Sequence, residues 1–198
     1  MQIDPSTLSR REAYGLMIRC VVPRPIGWAS TVDTEGRPNL APFSFFGGVS
    51  TDPMTVMLSV GRRRGDAKDT AANLLATKEA VIHIPTRPLE AAMVQTSAEV
   101  ASDVDEFALA GLTPTPSVHV APPRVAEAAI AMETVLRHHM EVGHAPVDLF
   151  LLEVVHLHLA DDVLTDGKPD ATKLEAIGRM GGMDYCDTST PHAIARPE

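Results

Sequence analysis

A chain of 198 residues, 44% hydrophobic and 22% charged, can bury one sizeable core and leaves little room for a second full domain. Aromatic residues make up only 4%, so that core must be built mostly from aliphatic side chains and alanine. A formal net charge of −9 sets the surface as a whole against nucleic acid and anionic lipid.

Two cysteines, Cys20 and Cys186, make neither a disulfide framework nor a metal motif, and thiols kept reduced in the cytoplasm are the simplest reading. Residues 1–11 are polar and lack the apolar stretch of a signal peptide. The longest apolar run, 149–159, is interrupted by Glu153, His156 and His158 and is too short to span a membrane.

In chain order, 26–32 is rich in β-branched and aromatic residues and reads as a strand. Asp33-Thr-Glu-Gly36 turns the chain, and 40–46 returns as the second arm of a hairpin. Gly47-Gly48 breaks it, Asp52-Pro53 marks another turn, and 54–60 is a third strand. The period then changes: Ala67, Ala71, Leu74 and Leu75 fall at helical spacing over 66–77. Asp66 is placed as its N-cap, with Asp69 in the capping-box position. A fourth strand, 80–84, stops at Pro85, and short helices are expected over 89–97 and 103–109. Four prolines make 113–123 an irregular crossing. Long strands follow over 129–142 and 149–159, then a turn at 166–169 and a brief helix over 170–177. After Tyr185 the composition turns polar, giving a loose tail over 187–198 beyond a core of about 20–186. Strands with a few short helices and no βαβ alternation predict a single, mainly β domain, an antiparallel barrel or sandwich.

Three segments offer chemistry. Arg62, Arg63 and Arg64 precede a helix whose start carries Lys68, Asp69 and Thr70, the makings of an anion site or simply a capped helix behind a solvated basic loop. In 39–46, Pro42 inside a strand implies an edge or bulge, and Ser44 sits between Phe43 and Phe45, a wall for a flat ring or plain core packing. In 178–182, paired glycines beside Arg179 allow close backbone approach or make a flexible turn. His138, His139, His144, His156 and His158 cluster late in the chain, but no carboxylate or cysteine pattern completes a ligand set, so no metal is expected. No nucleophile elbow, Walker-type loop or GxGxxG motif is present.

The ordered set Arg24-Pro-Ile-Gly-Trp-Ala-Ser-Thr31, Asn39-Leu-Ala-Pro-Phe-Ser-Phe-Phe46, Asp52-Pro53, Lys68-Asp-Thr-Ala-Ala-Asn73, Asp105-Glu-Phe107, Gly111-Leu112 and Arg179-Met-Gly-Gly-Met-Asp-Tyr185 resembles the flavin reductase-like family of FMN-binding split-barrel proteins, the group that includes flavoredoxin. The resemblance implies an antiparallel, Greek-key type split β-barrel with a few short helices. It further implies a homodimer with FMN held non-covalently near the subunit interface. Carried over by position, Trp28, Ala29, Ser30 and Thr31 with Ala41, Pro42, Phe43 and Ser44 would line the isoalloxazine and ribityl chain. Lys68 and Thr70, with Asp69 between them, would hold the phosphate, Arg62 and its neighbours would lie close by, and Asn39 and Arg179 would complete the set. Gly181-Gly182 and Phe45-Phe46 would lie near the subunit contact. The function implied is an NAD(P)H-dependent flavin reductase or related FMN oxidoreductase with an unknown electron acceptor. An FMN electron carrier without nicotinamide activity and a non-catalytic flavin binder remain as alternatives. No nucleic acid or membrane enters this reading. Its chemistry belongs to the flavin, so no catalytic side chain is required, and His144 beside a turn reads first as a solvent-facing loop histidine and otherwise as the one histidine near the ring.

Overall fold

The computed structural model describes residues 1–195 and 197. Of the expected tail, Arg196 and Glu198 lie outside the described residues. Seven strands form one antiparallel sheet: β1 (Gly27–Val32), β2 (Pro38–Phe43), β3 (Phe46–Thr51), β4 (Met54–Gly61), β5 (Glu79–His83), β6 (Ile130–Val142) and β7 (Val147–Leu159). Their spatial order is β2-β1-β5-β6-β7-β4-β3. The two ends of that order, β2 and β3, are neighbours in sequence, joined by Ser44 and Phe45 alone. The Ser59 N–H also donates to the Phe45 carbonyl at 2.9 Å. The sheet therefore curls into a barrel that is stitched at one corner and open along β2, a split barrel. Among the described residues no helix is long and apolar enough to cross a membrane.

The helices are α1 (Arg10–Cys20), α2 (Asp69–Thr77), α3 (Glu90–Gln95), α4 (Glu106–Leu109) and α5 (Ala171–Leu174). Strand alternation divides the two larger parts of the core, and a small third cluster of Val81, Val120 and Ala131 lies under the proline-rich crossing. Ala29, Leu58, Val60, Ile82, Phe150 and Leu152 fill the barrel, and Ala71 and Leu74 of α2 plug it. Trp28 and Leu40 point outward under α3 and α4, against Met93, Phe107 and Ile177. The buried Trp28 indole N–H is satisfied by Thr96 Oγ1 at 2.9 Å.

Several sequence expectations are corrected. Gly47-Gly48 does not end a strand; both glycines lie inside β3, with a bulge between Gly48 and Ser50. Helix α2 begins at Asp69 with Lys68 as N-cap, because Asp66 is held in a tight turn by reciprocal backbone bonds with Arg63 at 2.8 and 2.9 Å. Helix α1 was not read at all, although Ser9 and Glu12 form a full capping box. None of its residues is buried, although Tyr14, Met17 and Ile18 fall at helical spacing. Helix α5 stops at Leu174, where Glu175 adopts a left-handed conformation. The chain stays ordered past Tyr185: β9 (Tyr185–Asp187) pairs with β8 (Ile177–Arg179), and the Thr188 hydroxyl donates to the Ala171 carbonyl at 2.7 Å.

Candidate functional site

The open edge of β2 has a definite chemical character. Opposite β1, Ala41 faces Ala29 and Asn39 faces Thr31. Alternate residues of an antiparallel strand turn their backbone the same way, and the Leu40 N–H donates outward to Glu106 Oε2 at 3.1 Å. Pro42, in phase with Leu40, has no N–H. The edge is thus left with carbonyl acceptors.

Beside this edge lies a cavity of about 530 Å³, closed on its other sides by the start of α2, the turn at 63–66 and the loop at 96–102. No side chain caps α2. Its intrahelical bonding starts with the Ala72 N–H on the Lys68 carbonyl, so the N–H groups of Asp69, Thr70 and Ala71 have no partner within the helix. Lys68 adds its ammonium, 5.8 Å from the centre of the Phe43 ring. Thr70 Oγ1 accepts from Asn39 Nδ2 at 3.0 Å, which leaves its own hydrogen to donate. Arg63 and Arg64 enter from the turn, where Arg64 and Gly65 take positive φ of 51° and 98°. Two contacts cross the cavity mouth: Arg63 pairs with Glu99, and the Ser102 hydroxyl donates to Asp69 at 2.9 Å. Glu106 closes the inner wall. Burial pushes its carboxyl above the ordinary carboxylate range, the Leu40 N–H opposes this, and the negative charges of Asp69 and Asp105 add to it.

The structure brings Asn39, Ala41, Pro42, Phe43, Lys68, Asp69 and Thr70 together around this cavity. The others named from the sequence sit elsewhere. Trp28, Ala29, Ser30 and Thr31 are fully buried and do not line it. Thr31 instead accepts from Asn39 and Asn73 at 3.3 and 3.1 Å, bracing the wall from behind. Ser30 Oγ is buried without a hydrogen-bond partner. Ser44 accepts from Arg24 Nε at 3.3 Å, away from the cavity. Arg62 is turned away, making two 2.9 Å bonds to buried Asp148, because a guanidinium there is the counter-charge that carboxylate needs. Arg179 lies over the Tyr185 ring, 4.4 Å from its centre, and donates to the Gly182 carbonyl. His144 is exposed in the β6–β7 hairpin turn, and Phe46 belongs to the barrel core. His139 and His158 are occupied by Asp148 and Glu133. Among the described residues no group of three or more His, Cys, Asp or Glu is placed to hold a metal ion.

Sequence reasoning missed the 96–102 loop and the role of Glu106. The loop has no motif. Glu106 stood inside the quoted Asp105-Glu106-Phe107, but only the fold reveals that its carboxyl is buried on β2.

The strand order and the stitched corner define a split-barrel protein with a cation-bearing cavity on its open edge. Residues 18–173 match the flavin reductase-like domain model, and the chain belongs to that family. Its fold superposes on nitrilotriacetate monooxygenase component B from Bacillus cereus with a TM-score of 0.94 and 32% identity, over 98% of both chains. It is also similar to the 2-nitrobenzoate 2-nitroreductase NbaA of Pseudomonas fluorescens (TM-score 0.90, 25% identity, 100% of this chain and 96% of that one). Flavoredoxin of Desulfovibrio vulgaris (Miyazaki F) is more distant (TM-score 0.77, 25% identity, 89% and 91%).

Proposed function

We propose that the protein binds FMN in this cavity and acts as an FMN-dependent oxidoreductase, taking electrons from NADH or NADPH and passing them to a second acceptor. The observation that carries this reading is the uncapped start of α2 beside Lys68. Free N–H groups, the positive end of the helix dipole and an ammonium together suit a terminal phosphate. Pro42 and Phe43 supply an apolar wall for a flat ring, and the carbonyl acceptors of the β2 edge suit its imide N–H. The flavin would supply the redox chemistry, so the protein's part is to bind and orient it. In this reading Thr31 braces the site from behind through Asn39, and Trp28, Ala29, Ser30, Ser44 and Arg179 do not touch the flavin.

Family membership and the oxidoreductases among the similar structures support this reading. The likeness to flavoredoxin keeps one alternative open, an electron carrier that no nicotinamide reduces. A second copy of the chain belongs to the same proposal. Helix α1 buries none of its own residues and leaves Tyr14, Met17 and Val21 exposed, and Val49 on β3 is exposed as well. A cytoplasmic setting is supported by two unpaired cysteines, Cys20 and Cys186.

Calorimetric titration with FMN, riboflavin and FAD tests the cofactor. FMN should bind most tightly, and equal affinity for riboflavin would remove the phosphate site. Anaerobic mixing of the FMN form with NADH and NADPH then tests the donor. Failure of both to reduce the flavin would favour the electron carrier.

A further inference from the structure

The cavity carries four carboxyl side chains, Asp66, Asp69, Glu99 and Glu106, beside Arg63, Arg64 and Lys68. Asp69 accepts from Ser102, and Glu99 is paired with Arg63. Glu106 differs from both. It is only 7% exposed, the only groups that lower its pKa are backbone N–H groups, those of Leu40 and of Glu106 itself, and none of the ion pairs among the described residues includes it. It is also firmly placed. It opens α4, where Asp105 accepts from the Phe107 N–H at 2.9 Å, and Phe107 beside it is fully buried.

Ionising a carboxyl in such a place costs hydration that no cation repays. A dianion arriving at the nearby start of α2 adds further repulsion. Protonated, the same group becomes a hydrogen-bond donor at a site where the ligand offers only acceptors. We propose that Glu106 is a ligand-binding acid: it stands protonated when the site is filled and donates its O–H to an oxygen of the bound anion. The proton comes from solvent and stays on the carboxyl, so binding takes up one proton. This rests on reading the cavity as the site of the flavin phosphate.

The charged groups around Glu106 are Lys68 and Asp69 on α2, Asp105 at the start of α4, Arg63, Arg64 and Asp66 on the turn, and Glu99 on the loop. Among the described residues no histidine lines the cavity. A titration over about pH 5 to pH 8, where histidine is the usual titrating side chain, is therefore read without a histidine in the cavity, and burial shifts the Glu106 carboxyl upward.

Sulfate is the probe, because it stays dianionic across that range while phosphate does not. Its binding is followed by calorimetry at several pH values, in pairs of buffers that differ in ionisation heat. Wild-type affinity should fall by about tenfold per pH unit above the Glu106 pKa, with uptake of up to one proton. Glu106→Gln keeps an oxygen for the Leu40 N–H and donates through its amide. It should bind sulfate with no pH dependence and no proton uptake, and at the alkaline end at least about tenfold more tightly than wild type. Glu106→Ala should also lose the pH dependence but bind more weakly than the Gln variant throughout. A flat wild-type profile, or a Gln variant that keeps the wild-type slope, overturns the proposal. FMN binding by a protein whose sulfate affinity shows no pH dependence and no proton uptake would remove this role while leaving the flavin reading intact. Failure of both FMN and sulfate to bind would remove the two together.

Discussion

Glu133 shows how one carboxylate can hold a segment that has no structure of its own. The proline-rich crossing runs along the outside of β6, and fully buried Glu133 accepts from the Val118 N–H at 2.8 Å, the His119 N–H at 2.6 Å and His158 Nε2 at 2.6 Å. Burial works to raise its pKa, but these donors outweigh burial and bring it down from 4.5 to about 2. A carboxyl whose folded pKa is depressed stabilises above its unfolded value and loses that contribution as pH falls through the folded one. The stability from Glu133 should therefore be complete above 4.5 and fade toward 2. Glu133→Gln should cost about 1–3 kcal/mol at neutral pH and flatten the acid limb of a stability profile measured by urea melts. Parallel profiles for the two proteins would show that the crossing is held by other means. The sequence displayed His156 and His158 as a same-face pair on a strand, and that spacing was legible. Their partner was not. Glu133 lies 25 residues before His158, and only the β6–β7 pairing brings them together.

At the scale of elements, the sequence was most readable where a core supplied a rhythm. β1, β4, β5 and β7 were legible from β-branched content between turn residues, and the body of α2 from its helical period. α1 has no buried face and went unseen, although its capping box, Ser9 with Glu12, and the helical spacing of Tyr14, Met17 and Ile18 were both in the sequence. The start of α2 was misplaced for a different reason. Asp66 and Asp69 have the spacing of a capping box, but the Arg63–Asp66 turn consumes Asp66 and hands the N-cap to a lysine. An uncapped helix start is a cost to the free protein and an opportunity for an anion. Lys68→Ala should leave stability nearly unchanged, since Lys68 is exposed and makes no cap bond. It should weaken FMN about tenfold or more, the value of a charge-assisted contact of roughly 1.5–3 kcal/mol. Thr70→Ala should weaken FMN less. Undiminished affinity in the Lys68 variant would shift the anion contact to Arg63 and Arg64.

For the whole molecule, family and barrel were legible because ordered motifs span most of the chain. The cavity was only half legible, because its walls are far apart in sequence. One uncovered surface bears on assembly. An exposed helix carrying Tyr14, Met17 and Val21 is poorly suited to water and well suited to a second copy. Light scattering at micromolar concentration should give the mass of a dimer. Met17→Glu, at a half-exposed position, should move the population toward monomer without loss of fold. A wild-type monomer that holds FMN tightly would overturn the assembly.

The stitched corner also bears on the order of folding. The β6–β7 hairpin needs only a local turn, but β4 pairs with β7 across a long stretch of chain, Gly61 opposite Val147. Contacts of that separation pay for loop closure before they gain anything, and they set the pace of folding. The cavity draws on 39–43, 63–70 and 96–106, so no hairpin or helix contains it by itself. A nascent chain, or one opened at the seam, has the residues of the site without the site. Ligand binding is thus coupled to completion of the barrel, and a ligand that recognises only the closed form raises its population by mass action.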